Sequence, residues 1–557
     1  MPATSRTRSL TGQIVDLHAR RVYPGRVTWR AGRIVALTPD PRGRGGPLIL
    51  PGLVDAHIHI ESSLLAPAEF ARLAVVHGTV ATVSDPHEIA NVLGEAGVRY
   101  MLRDARRTPL RVAFGAPSCV PATAFETAGA RLGPRAVARL LADPGIHYLS
   151  EVMNFPGLLA GDPGLRAMIA AARRHGKPVD GHAPGLRGAQ AAAYAAAGPT
   201  TDHECTTLAE ARDKLAAGMR ILIREGSAAR NFAALAPLLR RHADRVMFCC
   251  DDLHPDLLVG GHLDRHVRRA LATGADRFDV LRCACVNPVA HYGLDVGLLR
   301  PGDRADFIVV DGWRRFRVLR TYLGGALVAA GGRTRLPRLR SATPNRFRAE
   351  PRRPEDFAVA APPGRAPRLH VIEALNGQLV TRHTRAPARV EGGRVVADPG
   401  RDVLKLVVVN RYARRAPVAV AFVRGFGLRT GAIASSVAHD SHNIVAVGTD
   451  DVALAAAVNR VIARRGGLAL VGGGRAADLP LPIAGLMSDR PGAEVARRYA
   501  ALDRQAKALG SRLDAPWMTL SFMALLVIPD LKLSDRGLFS ARRWDFLPPW
   551  DPAAAAG

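Results

Sequence analysis

The chain has almost no lysine. Its 77 basic residues include only Lys177, Lys214, Lys405, Lys507 and Lys532, so arginine carries the net charge of +28. A charge this large normally points to nucleic acid. No zinc-finger spacing or RNP-type aromatic motif accompanies it, and Ala and Gly are also abundant. The excess reads as a compositional bias spread over a solvated surface, so specific nucleic-acid binding is not expected. Cysteine is sparse too. Cys119, Cys205, Cys249, Cys250, Cys283 and Cys285 form no C-x-x-C pair, which argues against a thiolate zinc site. Cys249-Cys250 and Cys283-Ala-Cys285 sit in apolar runs and read as buried free thiols, which suits a reducing cytoplasm. Long hydrophobic runs are missing. The longest, Trp517 to Ile528, is twelve residues, too short to span a bilayer, and reads as buried core. The start, Met-Pro-Ala-Thr-Ser-Arg, lacks the apolar stretch of a secretion signal. A cytoplasmic protein without a membrane partner is expected.

What is present is globular: 557 residues, 48% hydrophobic and 23% charged, enough for two to four domains. Residues 1–50 hold alternating apolar and polar positions with turn signals at Pro24-Gly25 and Ala31-Gly32, the mark of a small antiparallel unit. Residues 51–298 alternate strand-like runs with Ala/Arg/Leu-rich helical stretches. The expected strands are Val54–Ile60, Val80–Ser84, Val112–Ala116, Tyr148–Val152, Pro178–Gly181, Thr200–His203, Met219–Ile223 and Val246–Cys250. Eight such runs predict one closed (β/α)8 barrel. Residues 299–340 return to β character and complete a small β-sandwich with the first segment. Residues 341–366, rich in Arg and Pro, read as a linker. Residues 367–557 mix strands (Leu404–Val409, Val418–Val423, Ile444–Val447) with amphipathic helices (451–464, 492–509) and read as a C-terminal α+β domain.

The segment Pro51–Ile60 ends an apolar strand in His57 and His59. Side chains at i and i+2 point the same way, so both can face one metal ion. The C-terminal ends of barrel strands form the catalytic face. The following strand ends supply Asp85, His87 and Glu88; Glu151; His182; Asp202, His203 and Glu204; and Asp251 and Asp252. So many charged and imidazole groups on one face are costly unless they bind metal or substrate. Four imidazoles and two carboxylates suit a pair of divalent ions.

These blocks closely resemble one family, the prokaryotic adenine deaminases of the amidohydrolase superfamily. The resemblance rests on Pro51–Ser63 (PGLVDAHIHIESS), Asp85–Val92 (DPHEIANV), Pro117–Thr123 (PSCVPAT), Glu151–Asn154 (EVMN), Val179–Leu186 (VDGHAPGL), Thr201–Glu204 (TDHE), Arg224–Ala229 (REGSAA) and Phe248–Pro255 (FCCDDLHP). Gly431–Asn443 (GAIASSVAHDSHN) and Leu479–Ser488 (LPLPIAGLMS) extend it into the last domain. It covers about residues 9–550. Cys250 departs from it, where Thr or Ser is expected, and residues 336–366 and those after 540 are less typical.

The resemblance implies metal ligands His57, His59, Glu151, His182, His203 and Asp251, holding two divalent ions: manganese by family, with iron or zinc also permitted by the ligands. Many superfamily members bridge their metals with a modified lysine on strand three or four. Here Lys177 precedes strand five and Lys214 lies in a helical run, so Glu151 is the available bridge. The implied reaction converts adenine and water to hypoxanthine and ammonia. Asp251, Glu151 and His203 carry the chemistry, with Asp251 as the proton shuttle unless Asp252 holds that role. Arg224, Glu225 and Ser227 are candidates to read the purine. Asp85, His87 and Glu88 are candidates for a relay or further metal site, and His439, Asp440 and His442 for a loop over the barrel mouth. A homo-oligomer is expected from the family. The competing readings are a cyclic-amide hydrolase of the same superfamily and, from the charge alone, a basic nucleic-acid-binding protein.

Overall fold

The computed structural model describes residues 6–362 and 367–551. The N-terminal residues 1–5 and the linker residues 363–366 lie outside the described residues.

Eight parallel strands follow Pro51. They are β1 (Leu53–Ile58), β2 (Thr79–Ser84), β3 (Arg111–Ala116), β4 (Ile146–Val152), β5 (Val179–Gly181), β6 (Thr201–Asp202), β7 (Arg220–Arg224) and β8 (Val246–Cys249). β1 to β5 form one parallel sheet and β6 to β8 another. Backbone bonds join the two. Thr200 N–H donates to Val179 C=O at 2.8 Å on one side, and Asp251 N–H to His57 C=O at 2.9 Å on the other. The curled sheet thus meets itself, as a (β/α)8 barrel requires. Its strands are buried along most of their length and read as apolar runs because both faces are covered. Ala56, Val83, Ala113, Tyr148, Leu222, Met247, Cys249 and Tyr292 pack together in one cluster drawn from six strands and a following helix.

Three strands are shorter than expected at their catalytic ends. β1 stops at Ile58, and residues 60–63 turn in a 3-10 helix. β6 keeps two residues and excludes His203. β8 ends at Cys249, because Asp251 adopts a left-handed φ of 57°. Ladder geometry would send neighbouring side chains to opposite faces. Leaving it lets consecutive polar residues converge.

Both flanks of the barrel join one eight-stranded sheet. Strands Arg8–Asp16, Arg21–Arg30, Arg33–Pro39 and Leu48–Pro51 come from before it, and Phe307–Val310, Val318–Leu323, Ala326–Ala330 and Arg333–Thr334 from after it. The seam is antiparallel, with Pro51 opposite Phe307 and Leu48 opposite Val310. Trp29, Phe307 and Tyr322 pack ring against ring beside it.

The stretch expected as a linker is packed in its described part. Phe347, Ala349 and Phe357 bury against Val407, Ala446 and Leu454, apolar anchors that the surrounding Arg and Pro residues obscure in the sequence. A second eight-stranded sheet follows, with Leu404–Val409 and Ile444–Gly448 at its centre and the helix Asp451–Ala463 against it. Pro516–Phe522, the start of the long apolar run, is a buried helix. Among the described residues no helix is long and apolar enough to cross a membrane, and all six cysteines are free and buried.

Candidate metal centre

The strand ends bring four histidines around one carboxylate. The register shifts between Asp55 and Ile58 of β1, an irregularity that re-aims side chains. His57 Nε2 and His59 Nε2 lie 3.2 Å apart. Glu151, from β4, turns Oε1 toward this pair, 3.8 Å from His57 and 3.3 Å from His59. Its Oε2 faces the other pair, 2.6 Å from His182 Nδ1 and 3.4 Å from His203 Nε2. Asp251 Oδ1 completes the first half, 3.6 Å from His57 and 3.2 Å from His59. All six side chains are buried.

This donor set fits two divalent ions. Ligands about 2.0–2.2 Å from an ion stand ~3–3.5 Å from one another, and the observed separations, 2.6 to 3.8 Å, lie around that spacing. His57 Nε2 and His59 Nε2 both turn to the same two carboxylate oxygens, Glu151 Oε1 and Asp251 Oδ1, where one cation would meet all four atoms. Neither lysine of the barrel reaches the cavity. Lys214 donates to Asp202 at 2.9 Å and Glu210 at 2.8 Å, and Lys177 to the carbonyls of Leu141 and Asp143.

Electrostatics keep the carboxylates ionised. Burial opposes charge on Glu151, but the His182 imidazole and bonds from His182, His203 and His59 outweigh it, holding the carboxyl well below its usual range. Burial likewise opposes charge on Asp251, and Arg224, then His57 and His59, hold it well below normal. Arg224, at the end of β7, donates to Asp251 Oδ2 at 2.5 Å and forks onto Glu204 through both terminal nitrogens. Its Nε donates to the Ala229 carbonyl. A guanidinium so engaged orients Asp251. Arg224 is not among the residues that line the cavity.

Other expected residues divide. Glu225 leaves the cavity and pairs with Arg269 at 2.5 Å. Ser227 Oγ accepts from the His254 N–H at 2.8 Å and does not line the cavity. Both sit on the loop after β7, where Gly226 is required: a Cβ there would meet the carbonyls of Cys250 and Asp252 at 2.5 Å. His87 bridges the two parts of the chain, 3.1 Å from Asp85 and 3.6 Å from Glu151 through Nδ1, and 3.5 Å from Asp440 through Nε2. His439 Nδ1 lies 3.6 Å from Glu88, and His442 Nε2 4.0 Å from it. His439 and Asp440 line the cavity, while His442 sits behind them. Burial, then the charge of His439, drives His442 well below its usual pKa.

Asp252 also lines the cavity, because the left-handed Asp251 breaks the alternation that would have sent it away. It accepts from Ser62 Oγ at 2.5 Å, and Ser62 also lies 3.0 Å from Glu88. Nearby, burial and Glu88 push Glu61 up to about 8. Sequence reasoning passed over the apolar wall. Met153, Leu379, Phe522 and Leu525 face the polar groups across the cavity, and Phe522 stacks on His439 with ring centres 5.0 Å apart. Ordinary apolar residues carry no chemical signature. Glu204, which follows His203 and is expected on this face without a role, lines the cavity and takes the fork of Arg224.

Comparison with known proteins agrees with this geometry. Residues 48–328 match the amidohydrolase family, and residues 378–545 match the adenine deaminase C-terminal domain. An adenine deaminase of Salinibacter ruber is 58% identical over 98% of this chain and 99% of its own. One from Sulfurovum is 54% identical over 96% and 98%, and one from Methanosarcina mazei 49% identical over 96% and 98%. The chain belongs to the adenine deaminase family, within the amidohydrolases.

Proposed function

We propose that this protein is a metal-dependent hydrolase that converts adenine and water to hypoxanthine and ammonia. The observation that carries this reading is Glu151, which offers one carboxylate oxygen to each half of a four-histidine set in a chain 58% identical to an adenine deaminase. His57, His59 and Asp251 would hold one divalent ion and His182 and His203 the other, with Glu151 offering one carboxylate oxygen to each set. Manganese is the proposed metal. When bound, such ions supply a water acidic enough to act as a nucleophile near neutral pH.

The chain's own groups then divide the work. The apolar wall of Met153, Leu379, Phe522 and Leu525 takes a flat, uncharged ring and presents its C6 to the polar face. Asp251 accepts the proton of the attacking water and delivers it to the departing nitrogen. Arg224 holds Asp251 through Oδ2, so Oδ1 faces the reacting centre. His439 and Asp440 close the mouth and exclude bulk water. The supporting experiment is direct. Manganese-loaded enzyme should release ammonia and form hypoxanthine from adenine, lose turnover on chelation and regain it with manganese. Absence of ammonia from adenine, with turnover of cyclic amides instead, would replace this reading.

A further inference from the structure

Lys532 is fully buried on the strand Leu531–Ser534. Its ammonium donates to two backbone carbonyls, Leu379 at 2.6 Å and Phe522 at 2.9 Å. Asp530 acts on it only through space. Burial lowers this ammonium's pKa to about 7, the cost of a cation met by carbonyls alone, so a return is expected where those carbonyls lie. They belong to two residues whose side chains wall the catalytic cavity opposite Glu151, His203 and Asp251. Leu379 lies in the turn before the strand Thr381–Pro387, and Phe522 ends the helix Pro516–Phe522.

The same strand grips both elements separately. Leu533 N–H donates to Met523 C=O at 2.9 Å, and Thr381 Oγ donates to Leu531 C=O at 2.8 Å. Lys532 differs in joining both walls through one atom. A backbone N–H has a single proton and cannot do this; an ammonium has three. We propose that Lys532 is a positioning residue that sets the width of the slot gripping the substrate ring, and thereby its binding rather than its chemistry. This rests on the proposed function, since the slot is the one assigned to adenine.

The test is steady-state kinetics on metal-loaded holoenzyme. Lys532→Met should raise KM for adenine roughly tenfold, the scale on which a hydrophobic pocket discriminates small changes, with kcat and bound metal within about twofold of the parent. Lys532→Arg, which keeps the donors, should recover part of the loss. A folded, metal-loaded Lys532→Met with unchanged KM, or one that loses kcat at unchanged KM, overturns the proposal. If Lys532→Met does not fold, Lys532→Gln, whose amide reaches one carbonyl, carries the same test with the same two outcomes. A parent enzyme that releases no ammonia from adenine overturns the function itself, which keeps the two failures distinct.

Discussion

The two halves of the catalytic cavity are built differently. The barrel half is almost wholly polar: His57, His59, Glu151, His182, His203 and Asp251 sit at or just past strand ends whose backbones are fixed by the parallel ladder. The C-terminal half adds Leu379, Phe522 and Leu525, plus the His439-Asp440 pair on a loop. One half fixes charge on strand ends; the other gives shape. Chemistry needs the first kind of precision and ring recognition the second. Damage to the barrel half should therefore appear in kcat and metal content, and damage to the C-terminal half in KM.

The largest expected effect tests the polar half. Asp251→Asn should lower kcat about 10²–10⁴-fold, the range for a lost acid–base group, with adenine binding largely kept. Asp252→Asn should cost far less. The reverse result in rapid-quench assays would give the shuttle role to Asp252. Glu151→Gln comes next and should lose bound metal and turnover together, measured by elemental analysis beside activity. Full metal occupancy with near-parental turnover would remove Glu151 from the bridge.

His439→Ala sharpens the contrast from the other side. Its kcat/KM should fall roughly tenfold, with metal content unchanged, because the ring it stacks on, Phe522, loses its partner. Loss of metal in this variant would erase the division between the halves. The smallest effect concerns stability. Burial, which the charge of His439 reinforces, lowers His254 from 6.5 to about 3. The unfolded chain thus binds the extra proton between these values, so its contribution is present above pH 6.5 and lost as pH falls, by at most about 1.4 kcal/mol per pH unit. Thermal midpoints at pH 7 and pH 5.5 should differ less in His254→Gln than in the parent.

The sequence makes the barrel readable because its strands are covered on both faces and bounded by Gly and Pro. It misplaces the strand ends near His59, His203 and Asp251, where a short helical turn, a bend and a left-handed residue respectively replace the ladder; polar residues look alike in either setting. H-x-H and the order of acids and imidazoles point to the ligands in advance. The fork of Arg224 onto Glu204 and Asp251 joins three strand ends distant in sequence, and no local pattern encodes it. The same is true of Leu379 and Phe522, brought together by a lysine that reads as an unremarkable strand residue.

The seam between Leu48–Pro51 and Phe307–Val310 makes the barrel an insertion. Pro51 enters it and Phe307 leaves it, and the two are direct partners in the sheet. Everything from residue 52 to residue 306 therefore begins and ends at one spot, as a cassette does. A segment with adjoining ends can be exchanged between related chains without moving the frame that holds it. The flanking sheet is that frame, and the arrangement lets a lineage change what the barrel does while keeping the place where it is held.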